Sequence, residues 1–178
     1  MKNNVLFILL FTSTFIFSQH INTRFIAVDK GATEKFEKGV AKKTKTFNSK
    51  EGQLRFYTFQ VNTGSNMGNY MRVRYEDEMK GFDVNPSKEA MKLWNAEVSD
   101  IMTNMDGRMQ SLNKNASHVV VSPFSKPLRT VMEYTYKGGM SDEFWRFRNN
   151  VAKAVKESGA DIFMEVWGCA SGCGGNSV

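Results

Sequence analysis

The chain is poor in the residue types that most often carry chemistry: it has two cysteines, two histidines and three prolines. With only His20 and His118 available, a histidine-rich metal centre is excluded, and no metal is expected. Two cysteines exclude both a multiply bridged scaffold and a four-cysteine zinc site. So few prolines exclude a stiff Pro-rich linker. Beyond Phe17 no apolar run approaches the ~20 residues that cross a bilayer, so no transmembrane segment is expected in the mature chain. The glycine-rich stretches Gly64–Gly68 and Gly172–Gly175 are not followed by a helix start bearing Lys-Ser/Thr, which excludes a P-loop. No cofactor motif is present, and no cofactor is expected.

The N-terminus has Lys2 ahead of the short apolar run Val5–Phe17. That is the pattern of a secretory signal peptide, with Ser18 before the cut and Gln19 opening the mature chain. Residues 1–18 are therefore read as removed, and the rest as exported, periplasmic or extracellular. Export argues against nucleic acid as the partner. It also bears on Cys169 and Cys173, since an oxidising compartment favours an intramolecular disulfide. Such a short loop would contribute only about 2 kcal/mol before strain. Free or intermolecular thiols and a shared metal are the other readings of the pair.

The net charge is +6, and the excess gathers early, at Lys30, Lys35, Lys38, Lys42, Lys43, Lys45 and Lys50. Such a run is ordinarily the solvated face of a helix. It is also a face that acidic glycans or lipids would meet.

Periodicity gives the element order. Arg24–Asp29 reads as a strand, and Thr33 as the cap of a helix with Phe36, Val40 and Phe47 inward. Gln53–Val61 is rich in aromatic and β-branched residues and reads as a strand. Tyr70–Tyr75 alternates, placing Met71, Val73 and Tyr75 on one face and Arg72 and Arg74 on the solvent side. Asn85-Pro86 opens the longest helix, in which Trp94, Val98, Ile101, Met105, Met109 and Leu112 share a face. His118–Ser122 reads as a buried strand, Pro123 and Pro127 bracket a connector, and Arg129–Tyr136 is a further alternating strand. Ser141 caps a third helix with Phe144, Phe147, Val151 and Val155 inward and Gly159 as its stop. Ile162–Trp167 closes the series as a strand.

The expected fold class is α+β: a ferredoxin-like βαββαβ unit over 19–125 and a partial second copy over 126–178, with a mostly antiparallel sheet and helices on one face. The repeat rests on Val40-Ala41-Lys42 against Val151-Ala152-Lys153, and on Gly52–Val61 against Gly159–Gly168. On this reading the second copy stops before its third strand. By element order the chain resembles the dimeric α+β barrel superfamily, which includes antibiotic-biosynthesis-monooxygenase-like domains. That resemblance implies pairing of two such units, as a homodimer or a fused repeat.

Glu133 and Glu165 stand among apolar residues of their segments and are candidate acid–base carboxylates, with His118 a third candidate. The favoured function is a non-enzymatic binding or oligomerising domain, whose partner is an unidentified small molecule or a second copy. The alternative is a pocket enzyme of the α+β-barrel type acting on a small organic molecule. Mass spectrometry of the natural protein is expected to find its N-terminus at or near Gln19. An intact Met1 on a cytoplasmic protein would overturn export.

Overall fold

The computed structural model describes residues 19–120, 128–173 and 178. The expected signal peptide and the Pro123–Pro127 connector lie outside the described residues. The elements run β1 (His20–Val28), α1 (Thr33–Phe47), β2 (Tyr57–Gln60), β3 (Tyr70–Glu76), α2 (Lys88–Glu97), β4 (Met102–Leu112), α3 (Ser141–Ser158) and β5 (Trp167–Ser171). Short 3₁₀ turns cover Met79–Asp83, Ser99–Ile101 and Lys114–Ala116.

The strands form one open sheet in the order β2-β3-β1-β4-β5, and each neighbouring pair is antiparallel. The fold class is therefore α+β, and the sheet is compatible with a ferredoxin-like fold. α1 and α2 roof the sheet face that carries Ile26 and Tyr70. Phe36 of α1, Val98 at the end of α2, Ile26 and Tyr70 form the buried cluster, with Val40, Trp94 and Met102 packed around it. The rings of Phe36 and Tyr70 lie 4.6 Å apart.

The largest correction concerns residues 102–112, expected as helix and found as β4. The helix ends at Glu97, a 3₁₀ turn follows, and the chain then pairs with β1 along its length. Thr103, Asn104, Asp106 and Gly107 are poor helix formers, and central strand β1 requires a second neighbour. The register shift in β1 between Phe25 and Ile26 takes the partner from Asp106 to Asn104, so Met105 has no partner in the ladder. Its place in a four-residue apolar spacing is thus accidental. The helix start is corrected as well: Ser87 Oγ accepts from the Ala90 N–H at 3.1 Å, so the cap is Ser87 and not Asn85.

Thr33 and Ser141 are the first residues inside their helices, and Ala32 and Met140 hold the cap positions. Gly159 ends α3 in the left-handed conformation, φ 66°, where a side chain would be strained. The inward side of α3 is rotated from expectation. Arg148 and Ala152 are its buried residues, whereas Phe147 is 58% exposed.

Arg129–Tyr136 lies outside the sheet, where Tyr134 exchanges backbone hydrogen bonds with Val178. The buried strand expected at His118–Ser122 is replaced, over its described residues, by a single bridge from His118 to Met164 with Val119 and Val120 half exposed. The strand expected at Ile162–Trp167 is displaced to Trp167–Ser171, where it extends the first sheet beside β4.

Replacing Phe36 by Ala is expected to cost about 3–5 kcal/mol in urea unfolding, the range for a fully buried aromatic. Phe147→Ala should stay within about 0.5 kcal/mol, as for an ordinary surface change. Equal effects would mean that the inward faces are misassigned.

Candidate functional site

α1 turns Phe36, Gly39 and Lys43 inward, a three- and four-residue spacing that stacks them on one stripe. Gly39 permits the close approach. A Cβ there would lie 2.4 Å from Val98 Cγ1, so a larger residue would lift α1 away from the end of α2. One turn later the same stripe carries Lys43 against the sheet, where it is 3% exposed. From below, the two-residue period of β3 brings Tyr70, Arg72 and Arg74 to this face. Both arginines are 7% exposed. The expected solvent positions of Lys43, Arg72 and Arg74 are thereby corrected. An alternating strand looks half-solvated only while its second face is uncovered, and here α1 and α2 cover it.

The cations sit among aromatic rings. Lys43 Nζ lies 4.8 Å from the centre of the Phe56 ring and 5.3 Å from that of Trp94. The Arg72 guanidinium lies 4.7 and 4.5 Å from the same two rings. Arg72 Nη1 donates to Thr58 Oγ1 at 3.0 Å, while the buried Nη2 has no acceptor. Arg74 is differently placed. It donates to Glu76 Oε1 at 2.6 Å and to the carbonyls of Val84 and Gly81. That set pins the 3₁₀ turn Met79–Asp83 to the sheet, and Phe82 stacks near the guanidinium. Arg74 is thus a satisfied structural cation; Lys43 and Arg72 are not.

Among the described residues no carboxylate lies within ion-pair distance of Lys43 or Arg72. The nearby acids are engaged elsewhere: Glu97 binds Lys42, and Glu37 accepts from the Tyr70 hydroxyl. Burial, then the Arg72 charge, lowers the Lys43 pKa from 10.5 to about 8. Burial, then Arg24, lowers that of Arg72 to about 10. Cation–π attraction returns about 0.5–2 kcal/mol per contact, less than the cost of desolvating an unpaired charge. The arrangement therefore concentrates hydrogen-bond donors and positive charge beside two half-buried aromatic rings.

Neither a protein-family model nor a curated protein matches this chain. Its chemistry rests on this geometry alone.

The sequence candidates fall on other partners. Glu133 is half exposed and pairs with Arg108 at 2.9 Å. Glu165 is buried, its side chain 7% exposed and 3.9 Å from Arg129 Nη1. Burial pushes its carboxyl pKa up, against the pull of Arg129. Arg129 also donates to the Tyr75 hydroxyl, so Glu165 belongs to the face opposite Arg72. His118 is half-buried and exchanges backbone hydrogen bonds with Met164. Glu133 and Glu165 thus sit on different arginines, and His118 pairs through its backbone with Met164. The sulfurs of Cys169 and Cys173 lie 2.10 Å apart, at the end of β5. Among the described residues no helix is long and apolar enough to cross a membrane; with the cysteine pair, this is compatible with an exported protein.

Lys43 and Arg72 were missed by sequence reasoning. The available signal was the position of Lys43 seven residues after Phe36 on the inward stripe.

Lys43 gives a signed pH prediction. Its folded pKa lies below its unfolded one, so the unfolded chain holds the proton more tightly between pH 8 and 10.5, and stability from this group rises across that window. The full gain corresponds to roughly 3 kcal/mol. Lys43→Met should remove this rise and be at least as stable as wild type at pH 7. A loss above about 1 kcal/mol at pH 7 in denaturant unfolding, the net worth of an ordinary buried hydrogen bond, would mark Lys43 as a structural residue.

Proposed function

We propose that this chain is an exported, non-enzymatic binding domain that holds an anionic small molecule on the helix-roofed face of its sheet. We read residues 20–112 as a ferredoxin-like split βαββαβ unit, with α3 and β5 as an extension. The element order and the strand order β2-β3-β1-β4 support that reading. So does the resemblance to the dimeric α+β barrel superfamily, in which such sheets frame small-molecule sites.

One observation carries the functional proposal: two buried cations, Lys43 and Arg72, face shared aromatic walls with no carboxylate among the described residues to neutralise them. Folding alone does not explain such a pair, because replacing unpaired buried charge by apolar side chains generally stabilises a protein. Recognition does explain it. An anion entering a dry site meets preset donors at low dielectric and gives up its water for fixed dipoles. Glu165 supports the competing enzymatic reading, since burial holds its carboxyl toward the protonated form that an acid catalyst needs.

The test is thermal unfolding of the mature domain with matched sets of small anionic, neutral and cationic compounds at fixed ionic strength. Organic acids and phosphate compounds are expected to raise the melting temperature of wild type, and Lys43→Met to lose that shift. Phosphate and sulfate stabilise many proteins nonspecifically by exclusion from the surface, so the comparison between wild type and variant decides. Equal stabilisation by neutral compounds, or an undiminished shift in Lys43→Met, would defeat the proposal.

A further inference from the structure

We infer that the anion held by Lys43 and Arg72 is a doubly charged phosphate monoester group on a soluble molecule. This rests on the binding reading above and adds to it the charge and form of the ligand.

The first argument is charge. Two buried cations lack counter-ions among the described residues, and a third stands beside them: Arg24 is the cross-strand partner of Arg72, is exposed, and lies near enough to depress its titration. Arg24 is oriented by its Nε–H, which donates to Asn22 Oδ1 at 3.2 Å. The surrounding carboxylates are committed, Glu76 to Arg74, Glu97 to Lys42 and Glu34 to Lys38. A monocarboxylate would neutralise one of the two desolvated charges and leave the other unpaired, which is costly in a dry site. A phosphate monoester carries about −1.5 to −2 charges near neutral pH and three strong acceptor oxygens.

The second argument is the donor set. The buried, unpartnered Nη2 of Arg72 is one donor, and the Lys43 ammonium carries three N–H groups. The Thr58 hydroxyl, already accepting from Arg72 Nη1, retains its own O–H to donate. These donors lie on three elements, α1, β2 and β3, and would reach different oxygens of one tetrahedral group. The Phe56 and Trp94 rings beside both cations supply no competing hydrogen-bonding carboxylate.

The third argument is access. Arg72 and Lys43 are recessed under the helices, whereas Arg24 is exposed. A freely diffusing monoester would approach from the side of exposed Arg24, with its organic part toward solvent. A phosphate held at a bilayer surface cannot follow it to that depth.

Methyl phosphate and methyl sulfate have nearly the same shape and differ by one charge near neutral pH, so they isolate the claim. Calorimetric titration at pH 7.5 and fixed ionic strength is expected to show methyl phosphate binding at least ~10-fold tighter than methyl sulfate or acetate. Its affinity should fall at pH 5.5, where the monoester becomes a monoanion. Lys43→Met and Arg72→Met should each lose at least ~10-fold, and Lys45→Gln, an exposed lysine of the same helix, should lose nothing. If Arg72→Met fails to fold, the Lys43 variant carries the test. Equal binding of acetate or methyl sulfate, still lost in Lys43→Met, would overturn the monoester assignment and leave the anion-binding reading intact. Anion binding indifferent to Lys43 would overturn both. Lys43-dependent capture by phosphatidic-acid vesicles, absent with phosphatidylcholine vesicles, would overturn the assignment to a soluble ligand.

Discussion

Strand β1 is the constraint on which the rest of the structure depends. It pairs with β3 along one edge and β4 along the other, so its backbone groups find partners on both sides. Its alternation then assigns every neighbour a face. Ile26 points toward the helices with Tyr70 as its cross-strand partner, and Arg24 falls opposite Arg72. Because side chains alternate with period two, a slip of one residue in this pairing would send Arg72 and Arg74 to the far face. The arginine half of the cationic site is in that sense a property of the register between β1 and β3. α1 closes it and adds Lys43.

The site shares its walls with the hydrophobic core. Phe36 contacts Tyr70 and Trp94, and Trp94 in turn faces Lys43 and Arg72. Packing and charge are therefore adjacent, and neither can be altered without the other. The apolar side supplies rigidity: Val98 is fully buried and seats Gly39. The polar side carries the energetic cost, which the core must offset. Functional sites commonly occupy such destabilised places, and proteins tolerate them while overall stability stays above threshold.

What could be read from the sequence follows from how local each signal is. The first helix, the strand at Tyr70–Tyr75 and the glycine stop at Gly159 depend on a few neighbouring residues, and they hold in the structure. Residues 102–112 failed because their apolar spacing fits a helix, while the deciding fact is the need of β1 for a second partner far away in sequence. Arg148 was invisible for another reason. A long charged side chain can lay its stem along apolar neighbours, and here its Nη2 reaches Met164 Sδ while its guanidinium lies over Tyr134. The candidate site was hidden by the same habit of counting lysine and arginine as solvent residues. Glu165, by contrast, was noticed as a carboxylate among apolar residues and is indeed buried, on the opposite face.

The central place of β1 also has a consequence for the order of assembly. His20 meets Ser111 across the sheet, a side-chain contact between residues 91 apart. A chain delivered from its N-terminus exposes β1 first, yet that strand has no partner until residues 70–76 arrive and is not enclosed until residues 102–112 follow. During that interval Ile21, Phe25 and Ile26 are presented to whatever surrounds the chain. Loops of this length close slowly compared with local helices, and unpaired strand edges invite other chains. The centre of the finished sheet is thus the part of the molecule longest at risk while it is being made.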